Sequence, residues 1–140
     1  MSTPHKKHNP GFLALVNDAK SGVKQIGIDE YKALPREDHF LIDVREDHEW
    51  AAGHATGALH LSKGIIERDI ETAIPDKSAN LILYCGGGYR SALVAEALGK
   101  MGYANAISLD GGWSAWNDAG LPVTREANGL STALKTQRRE

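Results

Sequence analysis

Five times along this chain a short apolar run hands over to a segment with helical spacing. The strand candidates are residues 24–27, 39–44, 57–61, 80–85 and 106–109, and the helix candidates are 29–34, 46–52, 64–74, 90–101 and 112–119. Parallel strands need a long crossover, and a crossover helix covers the sheet it returns to. The alternation therefore predicts a three-layer α/β/α unit around a central, mainly parallel five-stranded sheet. The clearest strand is NLILYC, residues 80–85. In the clearest helix Leu93, Ala97 and Met101 recur four apart, as do Val94 and Leu98, and Gly102 stops the run. Ahead of the alternation, Pro10 followed by Phe12, Leu13, Leu15, Val16 and Ala19 reads as a short apolar-striped helix. This divides the chain into an N-terminal helical extension (1–23), the α/β domain (24–123) and a tail or one peripheral helix (124–140), where the pattern fades.

Composition excludes several function classes. The chain has 140 residues, a net charge of −2 and one cysteine. Cys85 can form neither an intramolecular disulfide nor a multi-cysteine zinc or iron–sulfur site. The six histidines fall outside the HExxH spacing, so no metal is expected. A sequence pI near 6.3 is a poor match for nucleic acid, which calls for a basic face. No run approaches the ~18 apolar residues of a membrane span. The basic N-terminus is not followed by the apolar stretch of a secretory signal. A cytoplasmic protein is the expectation, with no membrane or nucleic-acid partner. The glycines are followed by no Gly-Lys-Ser/Thr, and no GxGxxG opens the first strand–helix turn, so a nucleotide cofactor is not expected either.

Open parallel sheets bind ligands outside the carboxyl ends of their strands, which here means just after Val44, Leu61, Cys85 and Leu109. The densest signal lies there: Tyr84-Cys85-Gly86-Gly87-Gly88-Tyr89-Arg90-Ser91. A lone cysteine ends a strand, three glycines let the main chain curl closely round an atom, and an arginine sits in the first helical turn. Successive amide N–H groups form an anion nest, and a helix N-terminus adds roughly 0.3–2 kcal/mol for a negative charge. A free thiol is only a few per cent ionised at neutral pH. The loop is thus built to favour a sulfur anion, and Cys85 is the candidate nucleophile.

Three stretches together resemble the rhodanese family of sulfurtransferases: LIDVREDHEWAAGHATGALHL (41–61), CGGGYRS (85–91) and LDGGWSAWNDAGLPV (109–123). The likeness covers roughly residues 24–123. It implies that the Cys85 thiolate takes the outer sulfur of a donor such as thiosulfate, becomes a persulfide, and yields that sulfur to a thiophilic acceptor, cyanide or a thiol. Gly86, Gly87, Gly88, Tyr89, Arg90 and Ser91 would bind the substrate sulfur. Their amides would cradle the persulfide, and Arg90 would offset anionic charge. The implied partners are a small-molecule donor and acceptor, with a sulfur-relay protein as a further candidate, for a monomer or weak homodimer without a cofactor. Two departures stand out. Some relatives carry basic side chains after the cysteine, where this chain has Gly86 and Gly87, so thiosulfate is expected to be a weak donor. Ala55-Thr56 replaces a usual Ile-Pro, expected here in a surface turn.

Asp43 and Arg45 sit where a strand ends and read mainly as a structural ion pair, with Glu49 a candidate partner for Arg45. His54 reads as a hydrogen-bonded structural histidine. Trp113, after the Asp110-Gly111-Gly112 turn, is a packing residue at the pocket rim. Two rival functions remain open. Fold-related phosphatases and arsenate reductases place five residues between cysteine and arginine, but only four separate Cys85 from Arg90, which makes a tighter ring. A non-catalytic binding module would not require Cys85.

Overall fold

The computed structural model describes residues 7–125. Pro10 opens α1 (Pro10–Lys20), where its missing N–H leaves no helical bond unmade. The chain continues through β1 (Lys24–Ile26), α2 (Ile28–Lys32), a 3-10 turn (Arg36–Asp38), β2 (Phe40–Asp43), α3 (Asp47–Ala52), β3 (His54–Ala55), β4 (Leu59–His60) and α4 (Ile66–Ala73). It ends with β5 (Leu81–Tyr84), α5 (Tyr89–Lys100), β6 (Ala106–Leu109), α6 (Gly112–Asp118) and β7 (Val123–Thr124). Five strands form one parallel sheet in the order β1-β6-β5-β2-β4. The α/β architecture read from the alternation is the one observed.

The two-residue period of a strand sorts the core into two layers. Leu81, Leu83 and Cys85 face one side with Ile42 and Val44, and pack with Ile66 and Ile70 of α4 and with Val94, Ala95 and Leu98 of α5. Ile82 and Tyr84 face the other side with Leu41, and pack with Tyr31 of α2 and Trp116 of α6. Four consecutive buried residues in β5, Leu81–Tyr84, follow from its central position under helices on both faces. α1 lies along α5 and buries Val16 and Ala19. Leu15, placed by the sequence in the same apolar stripe, is 56% exposed.

Topology fixes where a site can form. The chain leaves β2 towards β4 on one edge and leaves β5 towards β6 on the other side. The loops after these adjacent strands diverge, and this switch point is where open α/β sheets keep a crevice. Asp43 ends β2 and Tyr84 ends β5, in register with each other.

The sequence reading lacks the 3-10 turn and one strand pairing. His54–Ala55 pairs antiparallel with Val123–Thr124 in a separate two-stranded sheet. Thr124 was assigned to the tail; it is a strand residue, and its hydroxyl meets that of Thr56 at 2.8 Å. Ala55 is not in a surface turn. It is fully buried, and its N–H donates to the Tyr84 hydroxyl at 3.0 Å. Residues 1–6 and the rest of the expected tail, 126–140, lie outside the described residues.

Candidate active site

Cys85 follows the last residue of β5, and its residue surface is 1% exposed. Its body packs in the apolar layer, yet its sulfur is not left in hydrocarbon alone. The Gly88 N–H donates to Sγ at 3.2 Å and the Ser91 N–H at 3.3 Å, while Ser91 Oγ lies 3.5 Å away. Both amides belong to the start of α5, where the first N–H groups have no helical partner. Both therefore aim the positive ends of their dipoles at the sulfur. Among the three glycines, Gly88 alone has a positive φ, 97°, and it turns the chain into α5. The sequence reading assigned special backbone freedom to all three. Gly87 has nothing within 4 Å of the place a Cβ would occupy, so what it contributes is an open surface.

The loop is locked from behind by α6. The Trp113 N–H donates to the Cys85 carbonyl at 2.7 Å, and the Ser114 N–H to the Gly86 carbonyl at 3.1 Å. Two unpaired donors of one helix thus fix two carbonyls of the cysteine loop. The close approach needs a glycine at Gly112. Its φ is 48°, and an added Cβ would overlap the Cys85 carbonyl oxygen and lie 3.0 Å from its carbon. Gly112→Ala should therefore cost about 1–3 kcal/mol for the backbone conformation alone, with the overlap adding to it. Urea denaturation reads this as a lower midpoint; an unchanged midpoint would show that loop and helix are not locked together.

Arg90 is not a free cation. Its guanidinium grips Glu49 of α3 with two bonds, Nη1 to Oε1 at 2.8 Å and Nη2 to Oε2 at 3.1 Å. This bridge joins the segments that follow β2 and β5. Glu49 Oε1 also accepts the Glu46 N–H at 3.0 Å, closing the capping box of α3. The Arg90 hydrogen bonds hold the Glu49 carboxyl down from 4.5 to about 2, against the opposing effect of its partial burial. A depressed acid stabilises the fold above its unfolded value and loses that contribution as pH falls through its folded value. The stability gap between the wild type and Glu49→Gln should thus be full above about pH 4.5 and close as pH falls towards about 2. Acid titration of both proteins by circular dichroism checks this, and parallel curves would refute it.

Below the loop lies a second buried network. The Arg45 guanidinium donates to Asp43 from Nε at 3.1 Å to both oxygens and from Nη2 at 2.8 Å, and reaches the Gly53 carbonyl at 2.7 Å. Arg45 thus pairs with Asp43 and not with Glu49, which Arg90 occupies. The Tyr84 hydroxyl donates to Asp43 Oδ2, and burial together with the Asp43 charge pushes the phenol far above its usual range. The Arg45 guanidinium also lies 4.5 Å over the Trp113 ring. The network ties the ends of β2 and β5 to β3 and α6.

His54 stacks on Trp50 at 3.5 Å between ring centroids, and its Nδ1 lies 3.2 Å from the Trp50 carbonyl. The Asp110 side chain is exposed, and its N–H donates to the Ile26 carbonyl at 2.8 Å. The Tyr89 ring packs against the N-terminal segment, where it meets His8 at 4.5 Å and, in α1, Lys20 Nζ at 4.8 Å. The sequence reading missed Ser108, whose hydroxyl meets that of Ser91 at 2.8 Å. A serine in the otherwise apolar run AISL was the available signal. It also missed Glu49 as the partner of Arg90, because the two are 41 residues apart.

Comparison with known proteins agrees with this geometry. Residues 28–119 match the family model of the rhodanese-like domain. The chain is 32% identical over 108 residues to thiosulfate sulfurtransferase GlpE of Pseudomonas entomophila, spanning 77% of this chain and 97% of the relative. The solution structure of the polysulfide-sulfur transferase homodimer of Wolinella succinogenes superposes with a TM-score of 0.70 at 28% identity, covering 84% of this chain and 90% of the other. A Rhodopseudomonas palustris protein of unknown function, described as a possible tyrosine phosphatase, also superposes with a TM-score of 0.70, at 26% identity over 88% of this chain and all of the other. With a cysteine loop at the switch point of a five-stranded parallel sheet and relatives named as sulfurtransferases, the chain belongs to the rhodanese-like domain family.

Proposed function

We propose that the protein is a sulfurtransferase that carries a sulfane sulfur as a persulfide on Cys85. The observation that supports this most is the convergence of the Gly88 and Ser91 N–H groups on Sγ. The thiol first gives its proton to solvent. The thiolate attacks the outer sulfur of a donor, the new S–S bond forms, and the donor leaves with the electron pair of its own S–S bond, as sulfite in the case of thiosulfate. In the second step a thiophile attacks the outer sulfur of the persulfide and leaves with it, cyanide as thiocyanate and a thiol as its persulfide. Cys85 departs from that sulfur as the thiolate. No second cysteine is required, because the acceptor supplies the resolving group. Covalent catalysis of this kind gives ping-pong kinetics.

The charge arrangement bears on the donor. The Arg90 charge is balanced by Glu49, and positions 86 and 87 carry no side chain. A dianion such as thiosulfate finds little to hold it, so a low-molecular-weight thiol persulfide, whose reacting end carries at most one charge, is the better donor in this reading. Intact-mass measurement after incubation with thiosulfate and with a low-molecular-weight thiol persulfide tests the proposal. The expected result is a gain of one sulfur on Cys85, removed by cyanide with release of thiocyanate. A bare thiol after every donor would favour a binding module. Release of phosphate from an aryl phosphate, without sulfur uptake, would favour a phosphatase.

A further inference from the structure

Behind the sulfur lies a two-hydroxyl chain. Ser91 Oγ is 3.5 Å from Cys85 Sγ and 2.8 Å from Ser108 Oγ. Both serines are 0% exposed. Ser108 comes from β6 and pairs in register with Leu83, so it shares the face of Leu83 and Cys85. A hydroxyl in that apolar layer is costly unless its hydrogen is bonded.

The hydrogens can run in two directions. In one, the Ser108 hydroxyl donates to Ser91 Oγ and the Ser91 hydroxyl donates to Sγ. Every hydroxyl hydrogen then has an acceptor, and the sulfur, receiving this bond with those of two amides, is best served by carrying the negative charge. A thiol in this arrangement finds no acceptor for its own hydrogen within the hydroxyl chain. In the other direction the thiol donates to Ser91 and Ser91 donates to Ser108. Among the described residues Ser91 is the one side-chain partner of the Ser108 hydroxyl, so the last hydrogen is left buried without an acceptor. In both thiol arrangements one hydrogen has no acceptor within the chain; in the thiolate arrangement every hydrogen of the chain has one. The charged group that bears on the sulfur, Arg90 of α5, is itself balanced by Glu49 of α3, so the chain adds a donor without adding net charge.

We propose that Ser108 is a positioning residue that acts through Ser91, orienting the Ser91 hydroxyl towards Cys85 so that the sulfur is held as a thiolate. The inference rests on the reading of Cys85 as the nucleophile and names a residue outside the cysteine loop. Its test is the rate of alkylation by iodoacetamide across the acid-to-alkaline range, for the full chain and for Ser91→Ala, Ser108→Ala and the double variant. Ser108→Ala should slow alkylation at neutral pH about fivefold, the equivalent of one hydrogen bond. The deficit should vanish at alkaline pH, where any thiol is ionised. The double variant should react no more slowly than Ser91→Ala, because Ser108 works only through Ser91, and Ser108→Thr should react faster than Ser108→Val, which lacks the hydroxyl at equal volume. Additive effects, a deficit that persists at alkaline pH, or equal rates for the Thr and Val variants would overturn the inference. The Thr and Val pair carries the test if Ser108→Ala does not fold. Alkylation needs no sulfur donor, so this result is separate from sulfur uptake by the wild type, which alone decides the sulfurtransferase reading.

Discussion

Cys85→Ala should abolish sulfur uptake and transfer altogether, because no other residue of the chain can carry a persulfide: Cys85 is its one cysteine. The variant should also be measurably less stable than its small change in volume suggests. Alanine leaves the Gly88 and Ser91 N–H groups without their acceptor, and a buried donor left unpaired costs about 1–3 kcal/mol. Cys85→Ser separates the two effects. Its oxygen can accept from the same amides, so stability should recover towards the wild type while transfer stays absent. Thermal melts and thiocyanate release, measured on the two variants side by side, give the comparison. Residual transfer in either variant would remove the covalent intermediate from the mechanism. Equal stability of the two would mean that the amides find another partner, and that the loop is not organised round the sulfur.

The strand, loop and helix around Cys85 were legible because they depend on local pattern. Residues 80–85 are an apolar run of strand length and residues 90–101 carry a strict four-residue recurrence, so the strand–loop–helix unit around Cys85 follows from periodicity alone. The need for φ > 0 at Gly88, and its absence at Gly86 and Gly87, was not legible, since glycine is compatible with either. The pairings between the segments after β2 and β5 were not legible for a different reason. Arg45 had acidic neighbours at Asp43, Glu46, Asp47 and Glu49, and helical spacing favours Glu49. The choice of Asp43 is made by burial: Asp43 is fully buried and accepts the Tyr84 hydroxyl from the adjoining strand, which fixes it beside the guanidinium. Glu49 is thereby left for Arg90. The β3–β7 pair escaped notice because two residues show no period, and its partners are about 70 positions apart in the chain. In each case the deciding contact is set by which strands become neighbours, and a single sequence does not encode that order in any local window.

Arg45→Ala should damage folding far more than chemistry. It removes the guanidinium from the buried Asp43 carboxylate, which keeps only the backbone N–H of residue 45 and the Tyr84 hydroxyl. It also leaves the Gly53 carbonyl without its Arg45 donor. Breaking one partner of a buried ion pair costs about 3–5 kcal/mol, a large share of the 5–15 kcal/mol that typical domains possess. A domain of this size should then melt lower by roughly 10–20 °C. Arg45→Lys should not rescue it, because one ammonium cannot serve two carboxylate oxygens and the Gly53 carbonyl in the planar fork that a guanidinium provides. The paired change Asp43→Asn with Arg45→Met should cost less than the sum of its parts, since it removes the uncompensated charge while leaving the Tyr84 hydroxyl an acceptor. Differential scanning calorimetry of Arg45→Ala, Arg45→Lys, Asp43→Asn, Arg45→Met and the double variant measures this directly. An Arg45→Ala protein that melts with the wild type yet fails to take up sulfur would move Arg45 out of the scaffold and into the reaction. The 4.5 Å contact of its guanidinium with Trp113, whose N–H holds the Cys85 carbonyl, is the route by which that would occur.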